Sequence, residues 1–374
     1  MYDITIIGAN SPSLYLSTLL AQEGFSVCIL EERSTIGDAQ DLRHIGFAQM
    51  GLLDNFWRLS IGMGESAAKE IFLCMQRSLS ILSTLTKKHP SKGWILARDE
   101  REEEELHKQQ ILFKRWGYPS TAIPQKNPQE TFPSNMFTAG YMLPTAQCFS
   151  PQKIVHRLYK TAQQLGVHII SGIEMTKIDD HAHGVRTVYS KNNRKDEITS
   201  DIIVFFDHAQ LQQLDPFFYT TLGCVRTQSL SYARTQKSLS FGCSAQYGYL
   251  RWCDHEDQRI LSGCRWASPH FEIGESDDQI VVPSIEKALI QTAKQCFLEE
   301  NIFPNRSWSV IERRSCDGLP IVGSIPGRDH YLSCTAFHGQ IFSLGLAAAE
   351  SIFHFLLHGE SSWLPSSFSP RRLL

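Results

Sequence analysis

The sequence has no Cys-x-x-Cys pair among its ten cysteines and no regular cysteine spacing. That pattern argues against a disulfide framework and against a paired-cysteine zinc site, and fits scattered reduced thiols. No run reaches the roughly 18 apolar residues that a membrane span needs. The longest apolar helical pattern, Ile341 to Leu357, is interrupted by Glu350 and His354. No basic segment precedes an apolar stretch at the start, where Met1 leads straight into a strand-like run, so a secretory signal is not expected. Charge of one sign is lacking too. With 36 basic and 39 acidic residues the formal net charge is −3, which gives no electrostatic reason to expect nucleic acid or an anionic membrane as partner. The one acidic run, Asp99 to Glu105, reads as a solvated helix face. The cytoplasm is the expected location.

Glycine is scarce where it would matter most. Ile4-Thr5-Ile6-Ile7 reads as a buried strand, Leu14, Leu16, Leu19 and Leu20 as a helix ending near Gly24, and Val27 to Glu32 as a second strand. In a βαβ start of this kind a dinucleotide fold carries GxGxxG, whose glycines make the turn, admit the pyrophosphate and let helix and strand pack closely. Here the loop reads Gly8-Ala9-Asn10-Ser11-Pro12-Ser13, with Asn10 and Ser13 in place of the second and third glycines. Glu31 lies 23 positions after Gly8, where an acidic residue binds the ribose hydroxyls; Glu32 stands beside it. Ser11 followed by Pro12 makes a good helix start, and Asn10 tolerates positive φ better than most residues. By itself this remnant fits a plain buried βαβ unit as well as a nucleotide site.

A chain of 374 residues exceeds the roughly 250 to 300 that one core supports, so two domains are expected. Further along come a helix carrying Ile71 to Leu85, a short strand at Trp94 to Leu96, a strand at Gly140 to Leu143 before a turn at Pro144, and an amphipathic helix from Pro151 to Leu165. Strands are expected at Val167 to Ile170, Val185 to Tyr189 and Ile198 to Phe206, then alternating strands from Leu230 to Trp266 and a helix from Ser284 to Leu298. A dinucleotide-type start, a β-rich middle and a late return to glycine motifs imply an α/β domain interrupted by an antiparallel one.

The segment Trp308 to Gly323, with Asp317-Gly318-Leu319-Pro320 at its centre, is the most specific in the chain, and Phe337-His338-Gly339-Gln340 follows before the last apolar helix. With these motifs the chain resembles the FAD-dependent D-amino-acid oxidase and glycine oxidase family over essentially its whole length. The resemblance implies a discontinuous Rossmann-like FAD-binding domain, here 1–88, 149–208 and 307–374, with an inserted antiparallel-sheet substrate domain, 89–148 and 209–306.

It implies that FAD is held noncovalently, since Val310 stands where covalent members have cysteine. The expected cofactor contacts are Gly8, Asn10, Ser11, Ser13, Glu31, Glu32, Asp207, Gly318, His338, Gly339, Gln340 and Ile341. The expected catalytic or substrate-facing residues are Tyr249, Glu312 and His338. The departures matter as much: Phe205-Phe206-Asp207 replaces small residues under the cofactor, Ile341 a glycine, and Glu312 the carboxylate-binding arginine. Either Arg313 or Arg314 takes over that arginine's work, or the substrate is a cationic amine, or Glu312 is merely a surface salt bridge. The implied activity is oxidation of a small amine or amino acid by hydride transfer to flavin from the carbon next to nitrogen. A family member with weakened or lost FAD, serving as a binding or scaffold subunit, is the alternative that the lost glycines suggest; a homo-oligomer is compatible with either.

Overall fold

A computed structural model of the chain describes all residues except 35, 37–39, 52–53, 123–133, 135, 183, 207–210, 235–240 and 362. The described residues divide into two compact units, Met1–Arg43, Pro151–Gly223 and Glu312–Leu374 forming the first, and His44–Ser150 and Cys224–Ile311 the second.

The first unit is built on the opening βαβ. Strand β1 (Tyr2–Ile7), helix α1 (Ser11–Gln22) and strand β2 (Val27–Glu31) follow one another, and β1 is paired in parallel on both sides, with β2 and with Arg194–Phe205. Parallel pairing continues outward from β2 to His168–Ser171 and from Arg194–Phe205 to Tyr331–Thr335. Ile4, Ile6, Ile7 and all of Val27–Leu30 are buried, the apolar run expected of strands covered on both faces. Helix α1 packs against Pro151–Gln164 and Leu346–His358. Because β1, β2, Arg194–Phe205 and Tyr331–Thr335 run in one direction, Gly8, Glu31, Phe206 and Ala336 leave the sheet at the same edge. In open α/β sheets that edge is where ligands bind.

The helical segment Ile341–His358 is the one described helix long and apolar enough to cross a membrane, with a mean hydropathy of 1.4; it is 67% buried. Ala347, Ala348, Ala349 and Ile352 all lie in the core, and it is a central helix of the first unit.

The second unit is a nine-stranded sheet whose core includes Trp94, Tyr232, Trp252 and Phe297. The expected antiparallel pattern holds for Leu250–His255 with Gln258–Ser262, but Gly242–Ala245 pairs in parallel with Ser91–Ala97. Helix Glu65–Thr86, expected in the first domain, belongs to this unit. Gln147 on the strand Ala139–Cys148 donates to Leu79 O of that helix at 3.0 Å. Pro144 does not end its strand: the register slips between Ser91 and Gly93 opposite it. A bulge there needs no N–H from proline.

One ion cluster in this unit is fully buried. Arg259, 1% exposed, donates to both oxygens of Asp254 at 2.7 and 3.0 Å and to Glu299 at 3.2 Å, while its guanidinium lies 3.9 Å from the Phe297 ring centroid. Removing one partner of such a pair strands buried charge. Arg259→Met is expected to cost about 3 to 5 kcal/mol, read as a lower urea midpoint; an unchanged midpoint would show the cluster to be solvated.

Candidate functional site

At the shared strand edge, the loop after β1 turns at Gly8, whose φ is +96°. Asn10 then caps α1 with extended backbone, φ −108°. Its tolerance of positive φ is therefore not used. Instead the two residues that replace glycines serve each other: Ser13 N–H donates to Asn10 Oδ1 at 3.0 Å, and Asn10 N–H to Ser13 Oγ at 2.8 Å. This reciprocal capping box satisfies two donors that a helix start otherwise leaves open. Pro12, with no N–H to satisfy, rests on Gly345: a Cβ there would stand 2.6 Å from Pro12 Cγ.

Ser11, expected as the cap, has another partner. Its N–H donates to Asp41 Oδ2 at 2.6 Å, and its hydroxyl donates to the same oxygen. Asp41 lies on the short turn Gln40–Arg43 and is 1% exposed. Burial pushes its carboxyl up to about 6, against the Ser11 hydrogen bonds and with a smaller push from the Glu31 charge. Sequence reasoning missed Asp41, which stands 30 positions from its partner with no local pattern to mark it.

Glu31 is also turned onto backbone. One carboxylate oxygen accepts from Ala9 N–H at 2.6 Å and the other from Arg33 N–H at 3.0 Å. Glu32 is partly buried; burial, then the Glu31 charge, raises its carboxyl, against Arg33 and Arg313. Asp207 lies outside the described residues; Phe205 and Phe206 before it are fully buried.

The other part of the edge is the turn after Tyr331–Thr335. Ala336, His338 and Gly339 have φ of +63°, +52° and +74°. Two of the three are not glycine, a concentration of backbone strain of the kind that surrounding structure must hold in place. Gln340 and Ile341, both nearly buried, lead into a π-helical turn, Ile341–Gly345. His338 is braced by the Asp-Gly-Leu-Pro segment: Ser315 N–H donates to its Nε2 at 3.3 Å, and Ser315 Oγ lies 3.1 Å away and donates to Leu319 O at 2.6 Å. With Nε2 accepting, the neutral ring carries its proton on Nδ1. Burial, then the Arg314 charge, push the imidazole down to about 4 in spite of Glu312.

Asp317 is locked by the C-terminal turn. Arg372 grips both of its oxygens at 2.6 and 3.0 Å and donates to Leu319 O at 2.8 Å. Burial would raise Asp317, and the Arg372 fork overrides it, holding the carboxyl below its ordinary range. Gly318 lies exposed on this turn with φ +81°.

Glu312, Arg313 and Arg314 alternate along Pro304–Ser315. Glu312 and Arg314 share one face and pair at 2.6 Å, largely shielded from solvent. Arg313 points the other way and is buried. The Glu312 carboxylate lies over Gly339, where any Cβ would collide with it. Arg314 Nε is buried and has no partner among the described residues. Tyr249 belongs to the second unit, half exposed, with the Arg265 guanidinium 5.4 Å from its ring centroid. The structure thus brings Glu312, His338, Gly339 and the Asp317 turn together within the first unit, with the Gly8 to Ser13 loop and Glu31 on the same sheet edge.

The sequence model of the FAD dependent oxidoreductase family (DAO) matches residues 3–353. Solved structures share the fold. A glycine oxidase from Geobacillus kaustophilus superposes with a TM-score of 0.80 at 16% identity, covering 98% of each chain. An L-proline dehydrogenase from P. horikoshii gives 0.83 at 16%, over 100% of this chain and 97% of that one. An L-amino acid deaminase from Proteus vulgaris gives 0.75 at 16%, over 100% and 97%. No curated protein matches the sequence at a significant level.

The buried His338 ring makes a pH prediction. The unfolded imidazole takes up a proton near 6.5 and the folded one only near 4. Between those values the unfolded state binds more protons, so this contribution is complete above 6.5 and is lost as pH falls toward 4. Asp41, raised from 3.8 to about 6, acts oppositely: its contribution is present below 3.8 and lost as pH rises through 6. Comparing wild type with His338→Asn cancels the Asp41 part. Any stability advantage of wild type should shrink by about 3 kcal/mol between pH ~7 and pH ~4; a constant gap would place the ring in water.

Proposed function

The chain belongs to the FAD dependent oxidoreductase family, and from that membership we propose that it oxidises a small amino acid or amine at the carbon next to nitrogen. The observation that carries the substrate side is the Glu312–Arg314 pair on the face of the strand that covers Gly339.

The sheet edge fits the family's cofactor in its framework. Gly8 gives the tight turn, Glu31 ends β2 where ribose hydroxyls are bound, and the strained turn at Ala336 to Gly339 leads into a helix. Gly8, Asn10, Ser11, Ser13, Glu31 and Glu32 would hold the dinucleotide end, and Gly318 would stand on the turn that braces His338. The backbone of His338, Gly339, Gln340 and Ile341 would hold the flavin end. When bound, FAD would supply the acceptor for the hydride, and with it the electron pair, that the substrate gives up.

The protein's own work is binding and orientation. Arg314 would meet a substrate carboxylate with its guanidinium, doing the work of the arginine that Glu312 replaces, because it shares that residue's face. Glu312 holds the guanidinium in place and neutralises part of its charge. Arg313, on the opposite face toward Glu32, is not available for this role. A substrate amine must reach the site unprotonated, since its lone pair assists departure of the hydride, and no side-chain base is required. His338 is proposed as a positioning residue, its ring neutral and its Nε2 committed to Ser315. Tyr249, half exposed on the second unit, is proposed as a substrate-facing residue.

Two measurements test this reading. The purified protein should carry, or take up, close to one equivalent of flavin by absorption, and should reduce it under anaerobic conditions with an amino acid or amine. A protein that neither holds nor takes up FAD would end the proposal. For the substrate pocket, Arg314→Ala should raise KM for a carboxylate-bearing substrate roughly ten- to a hundredfold, the loss of one charge-assisted hydrogen bond. An amine lacking the carboxylate should be little affected, and equal losses on both would remove Arg314 from carboxylate recognition.

A further inference from the structure

At the start of α1 a carboxylate of the chain itself accepts from the helix. A helix N-terminus offers N–H donors and positive dipole, and in a dinucleotide fold the pyrophosphate takes that position. Here every donor of the first turn is committed. Ser11 N–H and hydroxyl go to one Asp41 oxygen, Ser13 N–H to Asn10 Oδ1, and Leu14 N–H to Asn10 O at 2.9 Å. Ala9 N–H, in the loop, goes to Glu31. Two polar atoms here have no partner among the described residues: Asp41 Oδ1 and Asn10 Nδ2, on residues 1% and 4% exposed. A buried carboxylate with one unpaired oxygen is costly to keep, and the burial that pushes Asp41 up to about 6 expresses that cost. Asp41 is thus held against its own solvation, on a four-residue turn that Gln152 Nε2 tethers through Leu42 O at 2.9 Å.

We propose that the Asp41 carboxylate stands in for a phosphate group on α1, and that the dinucleotide loads only by displacing it from Ser11. Asp41 therefore sets how tightly the protein holds FAD, a role that rests on the cofactor reading given above. A carboxylate left in place would face the incoming phosphates with like charge, and Glu31, whose oxygens now sit on Ala9 and Arg33, would have to turn toward the ribose in the same step.

The test is calorimetric titration of the full-length protein, freed of flavin, with FAD and separately with inorganic pyrophosphate. Asp41→Asn keeps the side-chain shape without its charge, and Asp41→Ser removes the bulk as well. Thermal melting confirms that each is folded. Both variants should bind FAD and pyrophosphate about tenfold or more tightly than wild type, a gain of one order in Kd. Tighter pyrophosphate binding with no FAD binding in any form would sustain the role of Asp41 and overturn the cofactor reading. Unchanged or weaker affinity for both ligands in both folded variants would overturn the proposal, even if wild type binds FAD well.

Discussion

A helix that begins inside a protein must find acceptors for the N–H groups of its first turn, and the loop before α1 is organised around that requirement. In the dinucleotide fold a bound phosphate meets part of it, and glycines let the phosphate approach. This chain meets it internally. Asn10 and Ser13 cap each other's backbone, Asp41 takes Ser11, and Glu31 takes Ala9. The lost glycines are thereby linked changes: a capping box needs side chains at both positions, and those side chains occupy space that glycines would leave open. The resulting pair of buried carboxylates gives the loop its own negative charge where a cofactor would bring one.

The same economy shapes the opposite end of the site. Glu312 occupies the position expected for an arginine, and the guanidinium stands two residues further along the same strand face. A strand reverses its side-chain direction at every residue, so Arg314 can answer for position 312 and Arg313 cannot. Arg313 is buried on the other face, where its charge acts on Glu32. His338 is placed by forces unrelated to proton transfer: the Ser315 amide holds its Nε2, the Arg372–Asp317 clamp holds the turn beneath it, and burial keeps the ring neutral.

Much of this was legible in the sequence where the signal is local or periodic. The βαβ start, the amphipathic helix near Pro151, the strands between Leu230 and Trp266 and the Asp317 to Pro320 motif each carry a pattern local to the chain, and each is found in the structure. Pairing across distance was not legible. Nothing in the chain near Asp41 announces that it meets Ser11, nothing near Gly242 announces a parallel partner at Gly93, and helix Glu65–Thr86 could be assigned to its unit only once Gln147 was seen to bind it. Proline chemistry also misled where tertiary structure overrode it: Pro144 reads as a strand end, but a bulge absorbs it and the strand continues.

One carboxylate of the chain and the phosphate of the family's cofactor compete for the same helix start. A crystal structure of the FAD-loaded protein measures this directly through the separation of Asp41 Oδ2 from Ser11 N, 2.6 Å in the structure described here. FAD is expected to break this contact, with a phosphate oxygen accepting from Ser11 N–H and Asp41 withdrawn beyond hydrogen-bond reach. FAD bound with the Asp41–Ser11 contact intact would show that the two do not compete.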